Sequence, residues 1–217
     1  MDIENLSLRE LQNLERFIPG LGRFPSRFIA TDYNKFIEIL YDDIDDIIYQ
    51  IQENPELRQK DSEDRLTIDI RDQLRRLGYD AAHDSKFGGH ADLLVKKGNF
   101  TWIGEAKIHS SYNYLWEGFL QLTTRYSTGD SNQRDGGIFI YIRQKNASAI
   151  VEKWKDYLLS KELTDYSYEA SENREISFFS THKHEGSGQY FRIKHIPVIL
   201  YFKPQDKSGR GKIESKS

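Results

Sequence analysis

Asp92, Glu105 and Lys107 are the residues of this chain whose types and spacing can do chemistry. They lie in "HADLLVKKGNFTWIGEAKIH", residues 90–109, where two β-like runs meet at a Gly98–Asn99 turn. Side chains alternate along a strand, so Glu105 and Lys107 share a face while Ala106 points to the other. Counting outward from the turn sets Asp92 opposite roughly Glu105 to Lys107, so that the two carboxylates can share a cation. Burying unpaired charge is expensive, and structural need alone rarely asks for it here. Two carboxylates from adjacent strands suit a hard divalent ion, Mg²⁺ or Mn²⁺, completed by waters and phosphate oxygens. Such an ion stabilises charge on a scissile phosphate and lowers the pKa of a bound water. Lys107, beside it, is expected to have its pKa pushed down and to orient or deprotonate the attacking water.

The elements that must position these groups follow from pattern. Ser7 with Glu10 three residues on reads as a capping box opening "SLRELQNLERF". "IPGLGRFPS" reads as a Pro/Gly loop, and "DYNKFIEILYDDIDDIIYQIQ" as a second helix. Tyr41, Ile44, Ile47, Ile48 and Ile51 form its apolar face; Asp42, Asp43, Asp45 and Asp46 fall off that face and read as solvated. Residues 1–60 are thus expected to be an N-terminal helical extension. Ser62 caps an amphipathic helix with Leu66, Ile70, Leu74 and Leu77 inward and Gly78 at its end. Strand-like "YDAAH", "ADLLVK" and "FTWIGEAKI" follow, then the helix "YNYLWEGFLQLTTRY" and the nearly all-apolar strand "GGIFIYIR". A helix from about Ala147 to Ser160 and late strands in "EISFFSTH" and "YFRIKHIPVILYF" complete a domain over 61–203, and 204–217 reads as a disordered tail.

Composition narrows the function classes. The 217 residues are enough for one core, and 37% hydrophobic with 30% charged residues is the balance of a soluble globular protein. No run is apolar enough to span a membrane, and the N-terminus lacks a signal-peptide pattern, so a cytoplasmic location is expected. With Cys 0, thiol nucleophiles, disulfides and cysteine-ligated metals are excluded, and any metal must be held by oxygen or imidazole. A net charge of −3 argues against a broad basic coat, so nucleic acid would have to meet a local basic surface.

A helix bearing Glu63, a strand with Asp92, a strand ending in Glu105-Ala106-Lys107, then a helix and a buried strand: in this order the chain resembles the PD-(D/E)XK nuclease superfamily, over roughly residues 62–160. The resemblance implies an α/β fold, a restriction-endonuclease-like αβββαβ core with a mixed sheet flanked by helices, and Mg²⁺-dependent phosphodiester hydrolysis. By it, Asp92 and Glu105 are metal ligands, Lys107 is catalytic, and Glu63 is a further ligand with Asp64 its rival. "HAD" stands where the motif's Pro would be. Gln121 matches the Gln of a Gln-x-x-x-Tyr pattern, but Tyr126 is one residue too far. At 100° per residue Arg125 shares the Gln121 face instead and reads as a phosphate contact.

Around this set, "SKFGGHAD" reads equally as a turn or as a place where a nucleic-acid backbone approaches, with His90 beside the metal. Tyr112 and Tyr114 read as open for base stacking and Trp116 as packed. His182, His184 and His195 resemble a metal set only in spacing and read as ordinary strand or loop histidines. The expected partner is nucleic acid, DNA before RNA, with no membrane. Specificity would come from self-association or a protein partner, since no reader domain is recognisable. Antiviral defence is an analogy with similar stand-alone nucleases. The rivals are a non-catalytic interaction subunit with the nuclease fold and a nucleotide phosphatase.

Overall fold

The computed structural model describes residues 6–86 and 89–206. Phe87 and Gly88 of the glycine-rich stretch, and the tail from residue 207, lie outside the described residues. Helices α1 (Leu8–Leu14), α2 (Phe24–Ile29), α3 (Tyr33–Gln52) and α4 (Glu63–Arg76) come first. Then follow β1 (Asp80–Ala82), a short ribbon of β2 (Ser85–Lys86) and β3 (His90–Ala91), β4 (Leu93–Lys97) and β5 (Phe100–Ile108). Next are α5 (Tyr112–Leu120), β6 (Asp135–Ile142), α6 (Ala147–Leu159), β7 (Ser167–Ala170), β8 (Phe178–Lys183) and β9 (Tyr190–Ile199).

The main sheet has seven strands in the order β1-β4-β5-β6-β9-β8-β7. β5, β6 and β9 run parallel, and the flanking pairs are antiparallel. Every residue of β6 is buried, as a strand covered on both faces requires. One apolar cluster joins α3 and α4 to Trp102, Ala106, Phe139 and Tyr141. The other joins α5 and α6 to Ile103, Ile138, Ile140 and Ile193 on the opposite face. The architecture is therefore a mixed sheet between two helical layers, the α/β class expected. Among the described residues no helix is long and apolar enough to cross a membrane.

Three local expectations are corrected. The "IPGLGRFPS" loop contains the start of α2, with Pro25 in the first turn, where a missing N–H costs nothing. The helical region is no appendage from Tyr33 onward. α3 buries Phe36, Leu40, Ile44 and Ile48 in the common core, and the Tyr41 hydroxyl donates to Gly136 O at 2.9 Å. The acidic cluster is likewise not uniformly solvated: Asp43 and Asp45 are each only 3% exposed. Asp43 accepts from Arg23 at 2.9 Å, Arg27 at 3.0 Å and the Tyr79 hydroxyl at 2.7 Å. Asp45 accepts from the buried Lys194 amine at 2.6 Å, with Arg174 at 3.9 Å. The cations that answer these carboxylates are distant in sequence, which is why the helix alone reads as a wet face.

Removing one member of a buried ion pair leaves the other charged without compensation. Asp45→Ala is therefore expected to destabilise the fold by about 3–5 kcal/mol, read by urea unfolding, whereas the solvent-facing Asp46→Ala changes stability by less than about 1 kcal/mol.

Candidate active site

The two-residue turn needs its left-handed position at Gly98, φ +57°, and it sets Leu93 against Gly104. That register carries Asp92 beside the end of β5, where its Oδ2 accepts from the Ala106 N–H at 2.9 Å. Glu105 is 1% exposed, and its Oε1 accepts from the Lys107 amine at 2.5 Å. Its Oε2 is buried with no hydrogen-bond partner. Burial pushes the Glu105 carboxyl up to about 8; the Asp92 charge adds to the rise, and Lys107 only partly opposes it. Burial also raises Asp92 against the lowering pull of the Ala106 N–H. Two opposing influences act on Lys107. Burial draws its pKa down, but the Glu105, Asp92 and Glu63 carboxylates outweigh burial and raise it.

Two helices close around the strand end. Ser62 caps α4 by accepting from Arg65 N, which brings Glu63 to the first helical position. Glu63 Oε2 accepts from Ile108 N at 3.0 Å, and its Oε1 accepts from the Tyr114 hydroxyl at 2.7 Å. The Lys107 amine lies 5.6 Å from the centre of the Tyr114 ring. On α5, Gly118 faces the pair: a Cβ there would stand 2.9 Å from Lys107 Cγ and 3.4 Å from Glu105 Cγ. Gly118 is a site residue that sequence reading missed. Its signal was a glycine inside a helix, tolerated where another group must approach closely.

Of the remaining candidates, Gln121 follows α5 with its Oε1 buried and unpartnered. The segment Gln121–Tyr126 winds as a π-helix, closed by Ser127 N donating to Leu122 O at 3.1 Å. The wider turn undoes the 100° count: Arg125 is exposed, whereas Tyr126 is 5% exposed and packs against Gly89. The Glu105 and Asp92 charges contribute, after burial, to raising the Tyr126 hydroxyl, so it is Tyr126 that lies within their field. Asp64 turns away from the strand end toward His83, whose Nε2 is 3.7 Å from it. His83 Nδ1–H donates to Asp92 O at 2.6 Å, a backbone contact that no sequence pattern announced.

The other calls fall outside this cluster. His90 is exposed and held by Asp84 at 2.7 Å. Tyr112 stacks on Tyr157 with centroids 6.0 Å apart, and Trp116 stacks on Phe119 at 5.1 Å. His195 is fully buried: Nδ1 accepts from Trp154 Nε1–H at 3.0 Å, leaving Nε2–H for Ser180 Oγ at 2.8 Å. His184 Nδ1 accepts from Ser187 N.

Among the described residues no group of three or more His, Asp or Glu side chains is arranged to hold a metal ion. Both Glu63 oxygens are already occupied, which leaves Asp92 and Glu105. One or two carboxylates are the usual protein share for Mg²⁺, and the orphaned Glu105 Oε2 is an oxygen that lacks a cation or donor. The site fits such an ion. A cleft of about 800 Å³ lies elsewhere, between α3, Arg134–Asp135 and β7–β9, at the opposite end of the parallel strands. None of its lining residues has a buried, unpartnered side-chain atom.

A raised carboxyl pKa means that the folded chain holds a proton the unfolded chain has already lost. Stability is then full below the ordinary value of 4.5 and falls as pH rises through about 8. In chelator, unfolding free energy is expected to decline between pH 5 and about 8, and Glu105→Gln, which cannot ionise, should flatten that decline. Urea unfolding across this range measures both.

No protein-family model, no curated protein and no solved structure matches the chain.

Proposed function

We propose that this protein is a metal-dependent nuclease of the PD-(D/E)XK type, hydrolysing phosphodiester bonds of nucleic acid, DNA before RNA. The observation that carries the reading is the buried, unpartnered Oε2 of Glu105, on a carboxyl whose other oxygen accepts from Lys107 and which the Asp92 charge raises. The succession α4, β1, β4, β5, α5, β6, with β6 parallel to β5, supports a restriction-endonuclease-like core.

Asp92 and Glu105 would hold the divalent ion, which when bound neutralises phosphate charge and makes a water more acidic. The Ala106 N–H ties one Asp92 oxygen and leaves the other to bind. The Lys107 ammonium, which here bonds Glu105 Oε1, would donate to a phosphate oxygen or orient the attacking water. A base role for Lys107 requires its raised pKa to be reversed by added positive charge. Glu63, fixed by Ile108 N and Tyr114, holds the end of β5 to α4 and adds negative field behind the ligands. Gln121 lies one helical turn beyond Gly118 and offers a free acceptor for water.

A second reading, a non-catalytic interaction module, draws on the occupied Glu63 oxygens and the missing three-ligand cluster. Incubation of plasmid, single-stranded DNA and RNA with Mg²⁺, Mn²⁺ or chelator separates the two. Metal-dependent cleavage lost in Glu105→Gln is expected; cleavage unchanged in chelator, or none under any condition, sinks the nuclease reading.

Lys107→Ala is expected to lose cleavage by orders of magnitude while keeping calcium-supported DNA binding, with a lowered melting temperature because the pair it breaks is buried. The Lys107–Glu105 pair is buried, so a purely structural Lys107 would show as lost stability with full activity, and that outcome would leave it a mere ion-pair partner. Gly118→Ala gains about 1 kcal/mol of helix propensity, offset by an overpacking cost of about 1–3 kcal/mol where its methyl meets the buried Lys107 stem and displaces it. Its cleavage rate is expected to drop about tenfold or more, given how steeply rate falls with misplacement. Glu117→Ala, on the exposed face of α5, serves as the unaffected control.

A further inference from the structure

We infer that Tyr114 is a stacking platform for an unpaired nucleobase beside the scissile phosphate, which makes single-stranded or locally unpaired nucleic acid the substrate class. The inference rests on the nuclease reading and deepens it. Three aromatic residues follow Lys107 closely, and the fold uses two of them for packing. Tyr112 lies against Tyr157 and His109, and Trp116 lies against Phe119 and beneath the Lys161 amine. Tyr114 belongs to neither apolar cluster, has no aromatic neighbour among the described residues, and is 37% exposed.

Its orientation is nevertheless fixed. The hydroxyl is anchored to Glu63 at 2.7 Å, and the Lys107 amine stands 5.6 Å from the ring centre. A half-exposed ring held at both ends loses little freedom when a base stacks on it. With the Lys107 amine 5.6 Å from the ring centre, a base stacked on Tyr114 would lie beside that amine. Bases in a duplex are already stacked on both faces, so they cannot offer a free face without leaving the helix. Stacking also suits a chain of net charge −3, in which 31 Lys and Arg are balanced by 34 Asp and Glu, so that affinity need not come from net positive charge.

The test uses the full chain with calcium, and single-stranded oligonucleotides carrying 2-aminopurine at successive positions, whose fluorescence is quenched by aromatic stacking. The expected result is quenching at one position with wild type. Tyr114→Phe, which keeps the ring and loses the Glu63 bond, should retain it. Tyr114→Leu should lose it and bind single strands about tenfold more weakly, with unchanged melting. Duplex binding should not depend on residue 114. Quenching and affinity retained in the Leu variant would overturn the inference, as would equal losses in the Phe and Leu variants, which would assign the effect to the hydroxyl. Cleavage of duplex alone, indifferent to residue 114, overturns the stacking role and leaves the nuclease reading standing. Absence of any nucleic-acid binding or cleavage by wild type overturns both.

Discussion

A carboxylate 1% exposed in the middle of a seven-stranded sheet has to be answered by charge or hydrogen bonds, or else it holds a proton. Glu105 is answered on one oxygen only. The neighbouring structure is arranged around that half-satisfied group. The Gly98 turn sets the register that brings Asp92 alongside, and the missing side chain at Gly118 lets α5 press the Lys107 stem against it. The first turn of α4 closes the end of the strand through Glu63.

The far layer shows what a buried charge looks like when structure is its only task. Asp43 is surrounded by two arginines and a tyrosine hydroxyl; Asp45 accepts from Lys194 on one oxygen, and its other, buried without a hydrogen-bond partner, has the Arg174 guanidinium 3.9 Å away, where Glu105 Oε2 has no such cation. Those carboxylates lock α3 to α2, β1 and β9. At Glu105 the like-charged Asp92 lies close enough to raise the carboxyl further, which no purely structural pairing requires. Accumulating anions around one amine is unfavourable unless further positive charge answers them, which is the basis of the proposed cation site.

Local signals in the chain made much of this visible. Period-2 runs and the Gly98 turn gave β4 and β5 and the Asp92–Glu105 pairing, and the Ser62 cap with its apolar stripe gave α4. The all-apolar "GGIFIYIR" gave the buried β6. What was hidden depended on partners far along the chain. The salt bridges of α3 join residues more than 100 positions apart at Asp45–Lys194, and β7, with every residue exposed, has no apolar alternation to betray it. The π-helical turn at Gln121 is a third case: nothing in "QLTTRY" distinguishes it from α-helix, yet one extra residue per turn decides that Tyr126 rather than Arg125 faces inward. The closeness of Gly118 to Lys107 needed coordinates, because a helical glycine reports that something approaches but not what.

The central claim is that the orphaned oxygen of Glu105 exists to ligate a cation shared with Asp92. Anomalous diffraction from crystals of the ion-free protein soaked in Mn²⁺ tests it most directly. The expected result is one strong peak within about 2.0–2.2 Å of oxygens from both Asp92 and Glu105, with the Lys107 amine displaced from Glu105 Oε1. Saturating Mn²⁺ with no peak at these carboxylates, and the Lys107–Glu105 pair intact, would contradict it.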